Sequence, residues 1–255
     1  MLALRRRPWA VIVLVLATPA TLGVALRALG ATSSTRPLLA LAAEAFFALV
    51  AVAATGVLGW WRESGLTDAW RQRPLVLLAA APVALVWLVA TPLLVTGHAR
   101  WGLLPILLPL VALVGLSEEL SCRGLVLYGL RRLGPLGAGA GAAAIFGLLH
   151  FINLTARPLG PTSLQVLAAF QVGLLFAALR LRMGTLWPVV GAHALFDLAV
   201  LLLTPLPRPQ LNWGFTLAGS FAVYLPFGLT GFGLLLYDQL EGRFPWRPRV
   251  RPVAG

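Results

Sequence analysis

The sequence predicts an all-α fold, a polytopic membrane bundle of about eight transmembrane helices with both termini cytoplasmic. Three observations carry this. Apolar residues make up 59% of the 255 positions, only 11% are charged, and the mean hydropathy is +0.88. Soluble domains carry roughly 25% charged residues. Most charges also fall in short segments between long apolar runs. A soluble enzyme, a disordered tail and a coiled coil are excluded.

The spans follow in order, each near the ~20 apolar residues a bilayer core needs. They are Trp9 to Leu26, Pro37 to Trp61, Leu75 to Thr96, Trp101 to Leu130, Pro135 to Leu154, Ser163 to Leu179, Thr185 to Leu203 and Phe215 to Tyr237. The first follows Arg5-Arg6-Arg7 like a signal peptide. Its 18-residue length exceeds the usual h-region of about 7–15, so it reads as an uncleaved helix. The fourth is long and is expected to tilt, or to break near Pro105 or Pro109. Turn-forming stretches such as Arg157-Pro158-Leu159-Gly160-Pro161 separate most of the others.

Orientation follows from arginine. The net charge is +12, carried by 20 Arg and no Lys. No segment is long enough to fold as a basic soluble module, so nucleic acid is not an expected partner. With both termini inside, 14 arginines fall on the inner side, among them Arg180 and Arg182 in the loop after the sixth span, and 5 on the outer. The Arg bias without Lys, with abundant Ala, Gly and Pro, suggests a GC-rich genome and a bacterial plasma membrane. The single cysteine, Cys122, rules out an internal disulfide. Three regions are expected: 1–100 with helices one to three, a core over 101–204 with helices four to seven, and 205–255 with the last helix and a basic tail.

Four of the eight acids, Glu44, Glu118, Glu119 and Asp197, lie within spans. Each charge at a membrane centre costs about 2.5–3.5 kcal/mol on insertion scales, so such residues mark functional sites facing the bundle interior. Glu119 and Arg123 stand four apart and can pair. Glu118 points about 100° away with no cation at that spacing, which suits a general base acting on water. His150, followed by Asn153, and His193, followed by Asp197, each have a polar residue about one turn on. By helical rise from the cytoplasmic ends, Glu118 lies roughly 18 Å deep, His150 roughly 22 Å, His193 roughly 12 Å and Asp197 roughly 18 Å. Three helices can thus place polar groups in one cavity. Glu44, without a polar neighbour at helical spacing, reads as a structural acid or as facing a water-filled crevice. His98 reads as a solvated loop residue. The run Gly137 to Ala144 reads as tight helix packing.

Glu118-Glu119-Leu120-Ser121-Cys122-Arg123 matches an EExxxR pattern, Phe146 to His150 an FxxxH pattern and His193 to Asp197 an HxxxN/D pattern. Together, in this order and in separate apolar segments, they resemble the CAAX-processing and bacteriocin-processing (CPBP) intramembrane protease family, which includes the Ras-converting-enzyme type and the Abi proteins. The resemblance implies an endopeptidase acting on a membrane-associated protein or peptide. It implies Glu118 as the residue activating water, His150 as its helper, and His193 and Asp197 as polarising the scissile carbonyl and stabilising the oxyanion. Glu119, Arg123, Phe146 and Asn153 would support them. Many relatives carry Asn where Asp197 stands. An ionised Asp would repel an oxyanion, so Asp197 must be protonated, orient His193 or help hold a metal. The family is commonly called a metalloprotease family. The preferred version is metal-free; zinc is the alternative, held by Glu118, His150 and His193. No H-E-x-x-H helix is present. Two other functions use the same residue types: a non-enzymatic bacteriocin-immunity or membrane-partner protein, and a proton-coupled transporter.

Overall fold

A computed structural model describes residues 6–28, 37–97, 99–155, 157–203 and 213–246. His98 and the loop and tail arginines Arg5, Arg36, Arg208, Arg247, Arg249 and Arg251 lie outside them. Eight long helices account for the described chain: α1 Pro8–Ala28, α2 Pro37–Leu58, α3 Val76–Val95, α4 Leu104–Glu119, α5 Gly134–Leu149, α6 Leu159–Met183, α7 Trp187–Leu202 and α8 Trp213–Leu240. No strand forms among the described residues beyond one isolated bridge, Ala99 with Leu203.

The helices form two packed groups, α8, α6 and α5 in one and α2, α4, α7 and α3 in the other, with α1 against α2. Between the groups runs the continuation of α4. The prolines do not break this helix: Pro105 stands in its first turn and Pro109 inside it. The irregularity comes later, at Leu120–Val126, which is wound as a π-helix. Six of its seven residues are buried. A π segment widens the turn and re-aims side chains, and such segments recur at functional sites.

Burial is arranged for lipid on the outside. Large apolar residues such as Leu49, Leu88, Val95, Leu159 and Leu229 are exposed, whereas much of the interior is alanine and glycine. Small residues let helix backbones approach where lipid tails remove the ordinary hydrophobic incentive to associate. In α5, Ala138, Gly139, Ala142 and Ala143 are buried, and a Cβ on Gly139 would come within 2.6 Å of Leu235 on α8. The Gly-Ala run is therefore a packing face. A Cβ on Gly231 would overlap the backbone of Leu174 and Leu175, so α8 and α6 touch there.

Five segments are long and apolar enough to cross a membrane: Leu38–Leu58, Trp101–Gly129, Arg131–Thr155, Leu159–Met183 and Phe221–Leu240. Three further apolar helices, Pro8–Gly23, Val76–Pro92 and Trp187–Leu202, are shorter. The chain is an integral membrane protein of helical class.

Two boundaries differ from expectation, with consequences for charge. The sixth helix runs four residues past Leu179, to Met183, so Arg180 is in a helix and not a loop. Its guanidinium is buried, donating to the carbonyls of Glu63 (2.8 Å), Ser64 (3.2 Å) and Gly184 (2.8 Å). It clamps the α2–α3 connection, where Gly65 takes a positive φ of 87° and a Cβ would strike the guanidinium. The last helix likewise continues to Leu240, which buries Asp238 against Arg182 in a bidentate pair at 2.9 and 3.0 Å. Both arginines hold helices and connections together as well as contributing charge.

Gly115 sets the approach of α4 to α7. A Cβ there would lie 2.8 Å from the Val190 carbonyl oxygen, a backbone atom that cannot step aside. Gly115→Ala is expected to destabilise the bundle by about 1–3 kcal/mol through overpacking. Unfolding of the purified protein in detergent measures it; an unchanged transition would show that α7 slides freely along α4.

Candidate active site

The site is built where α4 meets α7. Glu118 and Glu119 end α4 just before the π segment, and His193 and Asp197 lie on the facing helix. Glu119 is the pivot. Its side chain is fully buried and its Oε1 accepts from Arg123 Nη1 at 3.0 Å and from His193 Nδ1 at 2.8 Å. The anticipated Glu119–Arg123 pair therefore forms, and it holds a histidine from another helix as well. A carboxylate against Nδ1 fixes the imidazole ring and turns Nε2 outward.

His193 Nε2 faces two further carboxylates, Asp197 Oδ2 at 3.5 Å and Glu118 Oε2 at 3.7 Å. Both are partly open, with side-chain exposures of 39% for Glu118 and 29% for Asp197, against 11% for His193. The exposed members of the cluster can meet water or a ligand, while Glu119 and Arg123 are sealed behind them.

Phe146 joins the second histidine to this group. Arg123 lies over its ring at 3.9 Å from the centroid. The ring meets His150 edge-on at 4.9 Å and His193 at 5.9 Å. His150 ends α5 and opens a 3-10 turn over His150–Thr155, with Nδ1 2.9 Å from the Phe146 carbonyl oxygen. It lies within electrostatic reach of Asp197, but no hydrogen bond or ion pair joins it to Glu118 among the described residues. Asn153 turns away from it: its amide donates to Gln165 Oε1 at 2.9 Å, tying the 3-10 turn to α6. The partner of Asn153 is a residue of a neighbouring helix, which spacing along its own segment does not show.

Three residues escaped the motif reading. Glu44 on α2 sits beside Ser117, whose hydroxyl is 3.3 Å from Glu44 Oε2 and 3.1 Å from the Val114 carbonyl oxygen. Glu44 also interacts electrostatically with Glu118, Asp197 and His193. The signal in the sequence was an intramembrane acid without a local partner; the partner is on another helix. Gly173 on α6 makes room for Arg123, since a Cβ there would come 3.0 Å from Nη2. Gln165 anchors Asn153.

For the zinc alternative, the relevant test is whether the residues converge. Among the described residues, no group of three or more His, Cys, Asp or Glu is arranged to hold a metal ion. Glu118, His150 and His193 do not fit as a three-ligand set in this conformation, and no step below passes through a metal.

Residues 100–199 match the family described as Rce1-like, type II CAAX prenyl endopeptidase. Over this segment, less than half of the chain, the sequence is similar to the Rce1-like family. The match runs through all three motifs, from the start of the fourth long helix to near the end of the seventh. No curated protein and no solved structure matches the chain. The Rce1-like family is one of CAAX prenyl endopeptidases, which are peptide hydrolases.

Proposed function

We propose that the protein is an intramembrane endopeptidase in which Glu118 acts as general base on the attacking water. The observation that carries this reading is the placement of a partly open, unbonded Glu118 carboxylate 3.7 Å from an imidazole whose other nitrogen is locked by a buried ion pair. Water attacks the scissile carbonyl carbon as Glu118 takes its proton. The carbonyl π electrons move onto oxygen, and the C–N bond breaks as the proton passes to the leaving nitrogen. His150 packs edge-on against Phe146 and in this reading helps place the water. Glu119 accepts from Nδ1–H, so donation from His193 Nε2 to the oxyanion uses the imidazolium form, for which three carboxylates supply counter-charge. The contact between Asp197 and Nε2 supports Asp197 as an orienting partner of His193 and not a direct oxyanion donor.

The reading takes 101–204 as the catalytic core and all eight helices as spans, including the three shorter ones. Arg27, Arg180 and Arg182 all lie in long helices; without them the arginine split is 12 to 4, which still favours cytoplasmic termini. The bacterial plasma membrane rests on the Arg-rich, Lys-free composition. The substrate is a membrane-associated protein or peptide, and the family's CAAX name is not carried over to it.

The test compares peptide termini in host membranes carrying the native protein or Glu118→Ala at matched abundance. Precursors that stay uncleaved only in the variant are expected, and they name the substrate. Identical termini, with the variant still rescuing a deletion strain, would favour a bacteriocin-immunity or partner-binding role. Identical termini with failed rescue would point to proton-coupled transport.

A further inference from the structure

The Rce1-like match begins at residue 100, yet the site receives a carboxylate from α2, far outside it. Glu118 makes no hydrogen bond among the described residues, and its nearest polar neighbour, His193 Nε2, is 3.7 Å away. Its aim therefore depends on the backbone that carries it. That backbone is tethered on both sides. Glu119 is held by Arg123 and His193 at 3.0 and 2.8 Å. Ser117, buried at 5% exposure, has its hydroxyl 3.3 Å from Glu44 Oε2 and 3.1 Å from the Val114 carbonyl oxygen, so its one proton is shared between α2 and its own helix. The second tether joins two packed helices, α2 and α4, at the residue next to the proposed base. Its α2 partner is an acid placed in an otherwise apolar helix, where a charge is costly unless it is used.

We infer that Glu44 is a positioning residue for peptide hydrolysis, which through its hydrogen bond to Ser117 holds the end of α4 so that Glu118 faces the cavity. This makes the N-terminal helices part of the working site and not a membrane anchor alone. The inference rests on the protease reading of Glu118. Glu44 touches no reacting atom in this role, so it changes turnover without contributing a binding contact.

The experiment uses the full chain in detergent and, as probe, the peptide spanning the cleavage site identified by the Glu118→Ala comparison. Glu44→Ala and Ser117→Ala are each expected to lower kcat by about three- to tenfold, the worth of one hydrogen bond, with KM unchanged. The double variant is expected to be no slower than either single one, because both remove the same bond. Glu44→Gln keeps an acceptor for the Ser117 hydroxyl and is expected to restore most of the turnover. Wild-type kcat in Glu44→Ala, losses that multiply in the double variant, or a Glu44→Gln as slow as Glu44→Ala would each overturn the tether. If Glu44→Ala fails to accumulate, Ser117→Ala, which leaves the acid in place, carries the test against Glu44→Gln. If Glu118→Ala cleaves normally, the protease reading itself has failed and the tether falls with it; an inactive Glu118→Ala beside an unaffected Ser117→Ala overturns the tether alone.

Discussion

Arg123→Met lowers the stability of the bundle by about 3–5 kcal/mol, the cost of leaving one member of a buried ion pair without the other. Arg123 and Glu119 are both fully buried, 3.0 Å apart, beneath Phe146 and beside Gly173. Among the described residues, Glu119 Oε2 has no hydrogen-bond partner of its own, and neither do Arg123 Nε and Nη2. The pair is thus already sparingly satisfied, and removing the cation leaves a carboxylate with His193 as its remaining partner. Unfolding in detergent and the level of accumulated protein both measure the loss. Replacing both residues, as in Glu119→Leu with Arg123→Met, is expected to recover stability, because an apolar pair of similar volume needs no desolvation. The double variant is still expected to be inactive, since His193 Nδ1 loses its acceptor. A stable Arg123→Met would mean that Glu119 is satisfied without its cation, contrary to the geometry.

Glu118→Gln gives the opposite signature. Cleavage is expected to fall by about 10²–10⁴, the contribution of a positioned general base. Accumulation and unfolding should match the native protein, because Glu118 is 39% exposed and bonds to nothing that holds the fold. Gln keeps the shape but cannot take a proton from water. The kcat of the purified variant on its substrate peptide decides the matter, and native turnover would remove Glu118 from the chemistry. The two neighbouring glutamates are therefore separable: one loses structure when its partner goes, the other loses only the reaction.

Much of this was legible in the chain itself. Apolar composition and span length announce a helical membrane protein, since a backbone in lipid must satisfy its own hydrogen bonds within each segment. The eight apolar runs appear as eight long helices, displaced at their ends by a few residues. Where the displacement matters, at Arg180 and Asp238, the charged side chain is paired across the bundle, and that lets its helix continue. The i,i+4 spacing of Glu119 and Arg123 also announced a contact that forms, because local geometry needs no knowledge of neighbours. The three motifs marked the segment that matches the Rce1-like family.

Other features depend on the tertiary structure. The π turn at Leu120–Val126 leaves no trace in the sequence, because seven residues set no period that distinguishes its winding from an α-helix. The bond from Glu119 to His193 spans 74 positions and depends on how closely Gly115 lets α4 approach α7. The bond from Ser117 to Glu44 spans 73 and depends on the packing of α2 along α4. Asn153 bonds Gln165, a residue that the packing of α6 against the 3-10 turn brings to it. Sequence by itself determined which groups must be hidden from lipid and on which helices they ride. Which of them meet is decided by helix register and close approach, which arise only when all the helices pack at once.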